Sequence, residues 1–300
     1  MTDALAVPGV ALRAEALIGL RRVALAQAGS PALAALPGGF VTRRRGHGQE
    51  VADVREYVPG DDIRHLDRGS TARTGRLHVR QFQEERDRVT LLVADMRPSM
   101  LWGTARAFRS VAAAEALALV GWRTVTEGGR VGLLALSAGD PVAVPVRGRS
   151  RGMLDVIGGL VRAHEAALAL ALAGTDRDPT LEQGLTRVER IAPRGAEVVI
   201  ASGFDVPGPG LSDRLAALAQ GRVSRLLSIV DGGVRRLPRG IYPMRLPDGT
   251  RVRVRSAGDP VRPGTAEPVA GLPVIEIDAA EAPDRTAQTI AAAFPADREP

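Results

Sequence analysis

The 300-residue sequence contains no cysteine. That absence excludes disulfides, thiolate nucleophiles, Cys-ligated zinc and iron–sulfur clusters together, and removes any demand for an oxidising compartment. There is no lysine either, so all 40 basic residues are arginine. A Walker A lysine, a Schiff-base lysine and the amine-dependent motifs of pyridoxal-phosphate enzymes and β-lactamases are therefore excluded. Aromatic residues make up only 3%, too few to build stacking platforms for single-stranded nucleic acid. No segment reaches the roughly 18 uninterrupted apolar residues of a membrane span; the best, Val111 to Val120, is broken by Glu115. The N-terminus lacks the basic-then-apolar layout of a signal peptide, because Asp3 precedes a mild apolar stretch that Arg13 and Glu15 interrupt. A soluble, cytoplasmic protein is expected.

What is present is a chain with 45% apolar residues, enough for a large core in one domain or one domain with appendages. The isoelectric point of 10.9 invites a nucleic-acid reading, since guanidinium pairs well with phosphate. The distribution of charge argues against it. Residues 1–90 carry 14 Arg against 11 acids, 91–205 carry 13 against 12, and 206–300 carry 13 against 11. The local exception is Arg235 to Arg255, with seven Arg against Asp248 alone. A solvated or partner-facing arginine surface is the simpler expectation.

Along the chain, residues 11–28 read as an amphipathic helix ended by Gly29-Ser30-Pro31. A basic loop, Arg43-Arg44-Arg45-Gly46-His47-Gly48, leads into a charged, turn-rich stretch from Glu50 to Arg88. Period-two alternation over Leu77-His78-Val79-Arg80-Gln81-Phe82 predicts a strand there. At Val89 the pattern changes to alternating strands and helices. Strands are predicted at Val89 to Asp95, Arg130 to Leu136, Val142 to Val146, Ala196 to Ala201, Val223 to Val230 and Val274 to Ile277. Helices are predicted at Thr104 to Thr126, 150–163, 179–192, Leu211 to Leu218 and about 284–294. This βα alternation implies a mostly parallel sheet covered on both faces. Ile241 to Leu246, the turn Pro247-Asp248-Gly249 and Arg251 to Arg255 predict a hairpin lined by arginine on one face.

Few residues form a recognisable chemical constellation. His47, His65, His78 and His164 show no metal-ligand spacing, and His164-Glu165 lacks the second His of HExxH. Structural roles suit them better. Ala135-Leu136-Ser137-Ala138-Gly139 lacks the first Gly of a nucleophile elbow and lies in a strand–strand turn, where an elbow needs strand–turn–helix. Asp61, Asp62 and Asp67 could hold a divalent cation for hydrolysis. Arg55, Arg64, Arg68 and Arg73 are interleaved with them, however, and favour ion pairs instead. The loop Asp95-Met96-Arg97-Pro98-Ser99-Met100 follows the first sheet strand, at the end where open α/β sheets bind ligands.

These residues carry a resemblance. Gly46-His47-Gly48-Gln49-Glu50, then Arg55-Glu56-Tyr57-Val58-Pro59-Gly60-Asp61-Asp62-Ile63-Arg64-His65-Leu66-Asp67, Ala72-Arg73 and Val79-Arg80-Gln81-Phe82-Gln83-Glu84-Glu85-Arg86 resemble the signature of domain-of-unknown-function family number 58. Leu237-Pro238-Arg239-Gly240-Ile241-Tyr242 is similar to a later element of that family, so the likeness runs from about residue 43 to 255. The resemblance implies a von Willebrand factor A-like domain, association with a MoxR-type AAA+ ATPase, and an adaptor or assembly role in bacteria.

The sequence departs from the family pattern where the family builds a metal-ion-dependent adhesion site. The family's DxSxS loop corresponds to Asp95, Arg97 and Ser99, with arginine in place of the middle serine. The family's later Ser-Asp pair falls on Ser202-Gly203, leaving Asp205 two residues on. Thr180 fits the threonine position, with Thr175 as its rival. The Trp that follows the family's signature aspartate is replaced by Arg68. A guanidinium offers no lone pair to magnesium and repels the ion. Arg97 is expected either to pair with Asp95, standing in for the metal, or to point into solvent. Both placements predict little or no magnesium binding.

The expected architecture is a von Willebrand factor A-like α/β sheet at 89–300, with a hairpin insertion at about 235–256. A helical segment (1–37) and a β-rich decoration (38–88) precede it. The expected role is non-enzymatic protein–protein interaction with a MoxR-type ATPase and an unknown client, without a cofactor. The competing readings are a metal-dependent hydrolase using Asp61, Asp62 and Asp67, and nucleic-acid binding through Arg235–Arg255.

Overall fold

In a computed structural model, residues 4–28, 50–59, 61–83, 88–234, 237–246, 250–258 and 268–294 are described. The Arg43–Gly48 loop, Gly60, Glu84 to Arg86, Arg235, Arg236 and the turn Pro247-Asp248-Gly249 lie outside them. The chain divides into two compact units, one of residues 37–87 and one of residues 1–36 with 88–300.

The larger unit is built on a six-stranded sheet. Its strands are β3 (Val89–Asp95), β4 (Arg130–Leu136), β5 (Val142–Gly148), β6 (Glu197–Ser202), β7 (Val223–Val230) and β10 (Val274–Asp278), in the order β10-β7-β6-β3-β4-β5. All ladders are parallel except β4–β5. Successive residues of the central strands feed opposite cores. Leu92 and Ala94 of β3 join Leu133, Val199, Leu227 and Ile277 on one side, while Leu91 and Val93 join Leu134, Val198, Ile200 and Leu226 on the other. Burial of both faces explains why these strands read as unbroken apolar runs.

Three helices and the N-terminal helix cover the first side: α1 (Ala14–Ala28), α3 (Arg109–Thr126), α4 (Arg149–Leu172) and α8 (Pro283–Ala293). The other side takes α5 (Leu181–Leu185), α6 (Val188–Ile191) and α7 (Leu211–Ala219). The Trp122 indole N–H donates to Leu17 O at 2.9 Å, and His164 Nε2 lies 2.8 Å from Val10 O. The N-terminal segment is therefore tied into the sheet unit.

Several predicted boundaries move. Helix α4 runs nine residues past 163, through the helix-forming run Ala166 to Leu172, and stops at Gly174 with φ 98°. The single helix expected over 179–192 is two short ones. Helix α3 starts at Arg109, because Thr104 is held outside it by Asp231, whose carboxylate accepts from the Thr104 amide and hydroxyl.

The hairpin is present as an antiparallel pair, β8 (Gly240–Arg245) with β9 (Arg251–Ser256). In the smaller unit β1 (Glu50–Glu56) pairs antiparallel with β2 (His78–Gln83), and the short helix α2 (Arg68–Thr74) lies between them in sequence.

Candidate functional site

The sheet order reverses between β3 and β6: the chain leaves β3 toward β4 on one side and leaves β6 toward β7 on the other. Such a switch point opens a crevice at the carboxyl ends of the strands, where α/β folds bind ligands. Asp95 ends β3 and Ser202 ends β6, so both belong to the floor of that crevice.

Arg97 fills it. The Arg97 side chain is 1% exposed, as is Asp95. Its Nε donates to Asp95 Oδ1 at 2.9 Å and its Nη2 to Oδ2 at 2.7 Å, while its amide adds a third bond to Oδ1 at 3.0 Å. Nη1 reaches the other wall, donating to Pro179 O at 2.7 Å and Val206 O at 3.1 Å. Ser202 Oγ donates to Asp95 Oδ2 at 2.6 Å and accepts from the Phe204 amide at 2.9 Å. Phe204 adopts φ 56° to make that turn, a left-handed conformation costly for a bulky side chain. The solvent-facing placement of Arg97 is overturned: the short Asp95-to-Arg97 spacing lets the fork turn back onto its own strand end, where the carboxylate would otherwise be buried unpaired.

Burial pushes the Asp95 carboxyl up, but the charge and hydrogen bonds of Arg97, with help from Ser202, hold it below the usual range. Burial likewise depresses Arg97, and Asp95 outweighs it with help from Asp178 and Asp205, so the guanidinium stays charged.

Asp178 and Arg109 were not anticipated from the sequence. Asp178 Oδ2 lies 3.7 Å from Arg97 Nη1, and Oδ1 accepts from the Ser99 amide at 2.9 Å. Oδ2 and the Ser99 hydroxyl are buried without a hydrogen-bond partner. Burial is the main cause that raises the Asp178 carboxyl, with a smaller push from Asp95, and it outweighs the opposing effects of Ser99 and Arg97. Arg109, nearly buried at the start of α3, donates from Nε to Ile229 O at 2.8 Å and pairs through Nη1 with Asp205 Oδ2 at 2.9 Å. It also stands 5.5 Å from the ring of Trp102, which is 38% exposed. Gly203 sits against this pair, and a Cβ there would overlap Arg109 Nη2 and the Asp205 carboxylate. Arg109 follows Arg106 by three residues at the head of the Ala-rich stretch to Trp122, and that local pattern does not reveal its partners.

Of the residues expected here, Asp95, Arg97, Ser99, Ser202, Gly203 and Asp205 are brought together. Thr180 precedes α5 without a side-chain capping bond, and the Thr175 amide closes α4 on Leu170 O. The arrangement does not fit a divalent metal. Both Asp95 oxygens are taken by the guanidinium, which has no lone pair to coordinate an ion. Two buried arginines tie three loops and the end of β7 together at one end of the sheet.

In the smaller unit the signature residues are spread among local caps. Arg55 holds Asp61 through two nitrogens at 2.8 and 2.6 Å, and the Val58 amide adds a bond at 2.9 Å. The Arg55 hydrogen bond is the main cause holding the Asp61 carboxyl below its usual range. Asp62 caps the Ile63–His65 turn through the Arg64 amide, and Asp67 caps α2 through the Ser70 amide. Tyr57 joins the ribbon through its amide to Leu77 O, and Pro59 and Arg73 are exposed. Each of the three carboxylates faces its own partner, and no group of acids or histidines able to hold a metal occurs among the described residues.

The fold and site define an α/β protein with a mostly parallel sheet and a crevice locked by arginine. Residues 53–263 match the family described as Protein of unknown function DUF58, and the chain belongs to it. Uncharacterized proteins of Mycobacterium bovis and Mycobacterium tuberculosis are each 38% identical over 102 residues, 34% of this chain. The match spans about a third, 32%, of those relatives' length. The crystal structure of the conserved hypothetical protein BatB from Bacteroides thetaiotaomicron superposes with a TM-score of 0.40 at 15% identity, over 68% of this chain and 97% of that one. No helix among the described residues is long and apolar enough to cross a membrane.

Proposed function

We propose that this chain is a non-enzymatic interaction protein, a von Willebrand factor A-like adaptor whose metal-ion-dependent adhesion site is replaced by an internal arginine. The observation that carries this reading is the double hold of Arg97 on Asp95 at the sheet's switch point. A fixed cation in that position keeps the loops in one state without an ion, whereas a metal-dependent site changes with occupancy. The Ser202 hydroxyl donates its hydrogen bond to Asp95, a carboxylate that Arg97 holds below its usual range and that is therefore a poor base for activating it. Beside the locked crevice stands the partly exposed Trp102, a residue type that anchors protein interfaces.

Family resemblance supports a MoxR-type AAA+ ATPase as the partner, within the cytoplasm, acting on a client complex. Affinity capture of the protein from its own cell lysate, with and without ATP and in the presence of EDTA, tests the reading. Retention of a MoxR-type ATPase that survives EDTA and falls with Trp102→Ala, at unchanged melting temperature, is expected. Failure to retain any ATPase under every condition would overturn the adaptor role.

A further inference from the structure

The β8–β9 ribbon is a two-stranded sheet, and its register identifies which backbone groups face away from the partner strand. The Leu246 amide donates to Thr250 O, and the pairing continues from Arg245↔Arg251 to Gly240↔Ser256. Hydrogen-bonded and non-hydrogen-bonded pairs alternate in an antiparallel ladder. Residues 244, 242 and 240 therefore bond inward to 252, 254 and 256, and the backbone groups of 241, 243 and 245 on β8, and of 251, 253 and 255 on β9, point outward. Pro243 occupies the middle of the β8 edge and has no N–H, which blunts that edge. The β9 edge keeps its donors at Arg251, Arg253 and Arg255. No backbone hydrogen bond across it occurs among the described residues.

The side chains are sorted just as sharply. Arg251, Arg253 and Arg255 share one face with Ile241 and Pro243, and all five are exposed. Ile241 is 60% exposed. The opposite face carries Tyr242, Met244, Val252 and Val254, the last 41% exposed. Among the described residues none of the three arginines has an ion-pair partner. Two strands alone hold a ribbon weakly, and a third strengthens it.

We propose that the β9 edge receives an extended segment of a partner protein as a third strand. That segment carries Asp or Glu at alternate positions over the arginine face and apolar residues between them over Val252 and Val254. This deepens the interaction reading above by naming the chemistry of the partner. A second copy of β9 is disfavoured, because pairing the two edges sets arginine against arginine. The apolar face distinguishes the occupant from a nucleic acid, whose phosphates would satisfy the arginines but leave Val252 and Val254 uncovered.

The test uses the full chain and three fluorescent probes: a capped peptide alternating Glu and Val, a peptide of the same composition with Glu and Val in separate blocks, and an oligothymidylate. Anisotropy is expected to show the alternating peptide binding about tenfold more tightly than the blocked one, the sum of several cross-strand charge pairs. Amide exchange is expected to slow at residues 251, 253 and 255. Arg251→Glu, Arg253→Glu and Arg255→Glu together abolish binding. Arg253→Pro, which removes an outward N–H without breaking the ladder to β8, weakens it. Equal binding of both peptides, binding without edge protection, or a preference for oligothymidylate would overturn the proposal. Binding of the alternating peptide by a chain that retains no ATPase defeats the adaptor reading alone. Retention of the ATPase by the triple glutamate variant, with no peptide binding by the wild type, defeats the strand proposal alone.

Discussion

Arg97 grips both carboxylate oxygens of Asp95, two residues upstream, and with its remaining nitrogen binds the carbonyls of Pro179 and Val206. One side chain thus joins its own strand end to two segments 82 and 109 residues further along the chain. Ion pairs this deep gain little over apolar replacements, because desolvation offsets attraction, yet leaving one partner alone is costly.

Arg97→Ala is accordingly expected to cost about 3–5 kcal/mol in chemical denaturation, through the stranded Asp95 charge. Adding Asp95→Ala should recover part of that loss, giving a clear coupling in the double-mutant cycle. Simple additivity of the two changes would show that the pair does not act as a unit.

Asp178 has the opposite sign to Asp95. Its raised folded-state pKa means that its contribution is fully present below the ordinary carboxylate value, about 4, and is lost as pH rises through the folded value. Asp178→Asn keeps an oxygen for the Ser99 amide and removes the buried ionisation. The variant should be more stable than the wild type at neutral pH and lose that advantage in acid. A destabilised variant at pH 7 would mean that the Asp178 charge is needed by Arg97.

How much of this was legible follows from sequence distance. The strand Val89–Asp95 was readable to the residue because burial on both faces makes it continuously apolar, and the Asp95-to-Arg97 pairing was one of the two placements of Arg97 that the sequence left open. Asp178 and Arg109 were not, since they meet Ser99 and Asp205 across 79 and 96 residues of chain. Local pattern carries no record of which loops a topology will assemble. The 179–192 stretch forms two helices rather than the one its periodicity predicts, because helical periodicity does not reveal a break at the turn between Leu185 and Val188.

His164 supplies a pH dependence remote from the crevice. Burial is the main cause that lowers its pKa, against smaller upward pushes from the Val10 carbonyl and Glu165. The neutral ring donates Nε2–H to Val10 O while Nδ1 is buried without a partner. The unfolded chain therefore takes up a proton near pH 6.5 that the folded chain resists, so stability falls as pH drops below that value. His164→Gln should flatten this slope between about pH 5 and 7; an unchanged slope would assign it elsewhere.

Gly203 is fixed by space rather than by backbone conformation. Gly203→Ala sets a methyl against the Arg109–Asp205 pair, and a loss of about 1–3 kcal/mol is expected, as for overpacked cores. Retained stability would show that Arg109 can yield without cost.

The most direct test of the central claim is a calorimetric titration of magnesium into the wild-type protein, with Asp95→Ala beside it. If Arg97 has taken the place of the ion, the wild type shows no stoichiometric binding. Tight one-to-one binding that disappears in Asp95→Ala would mean that the arginine leaves the crevice for the metal, and would contradict the account.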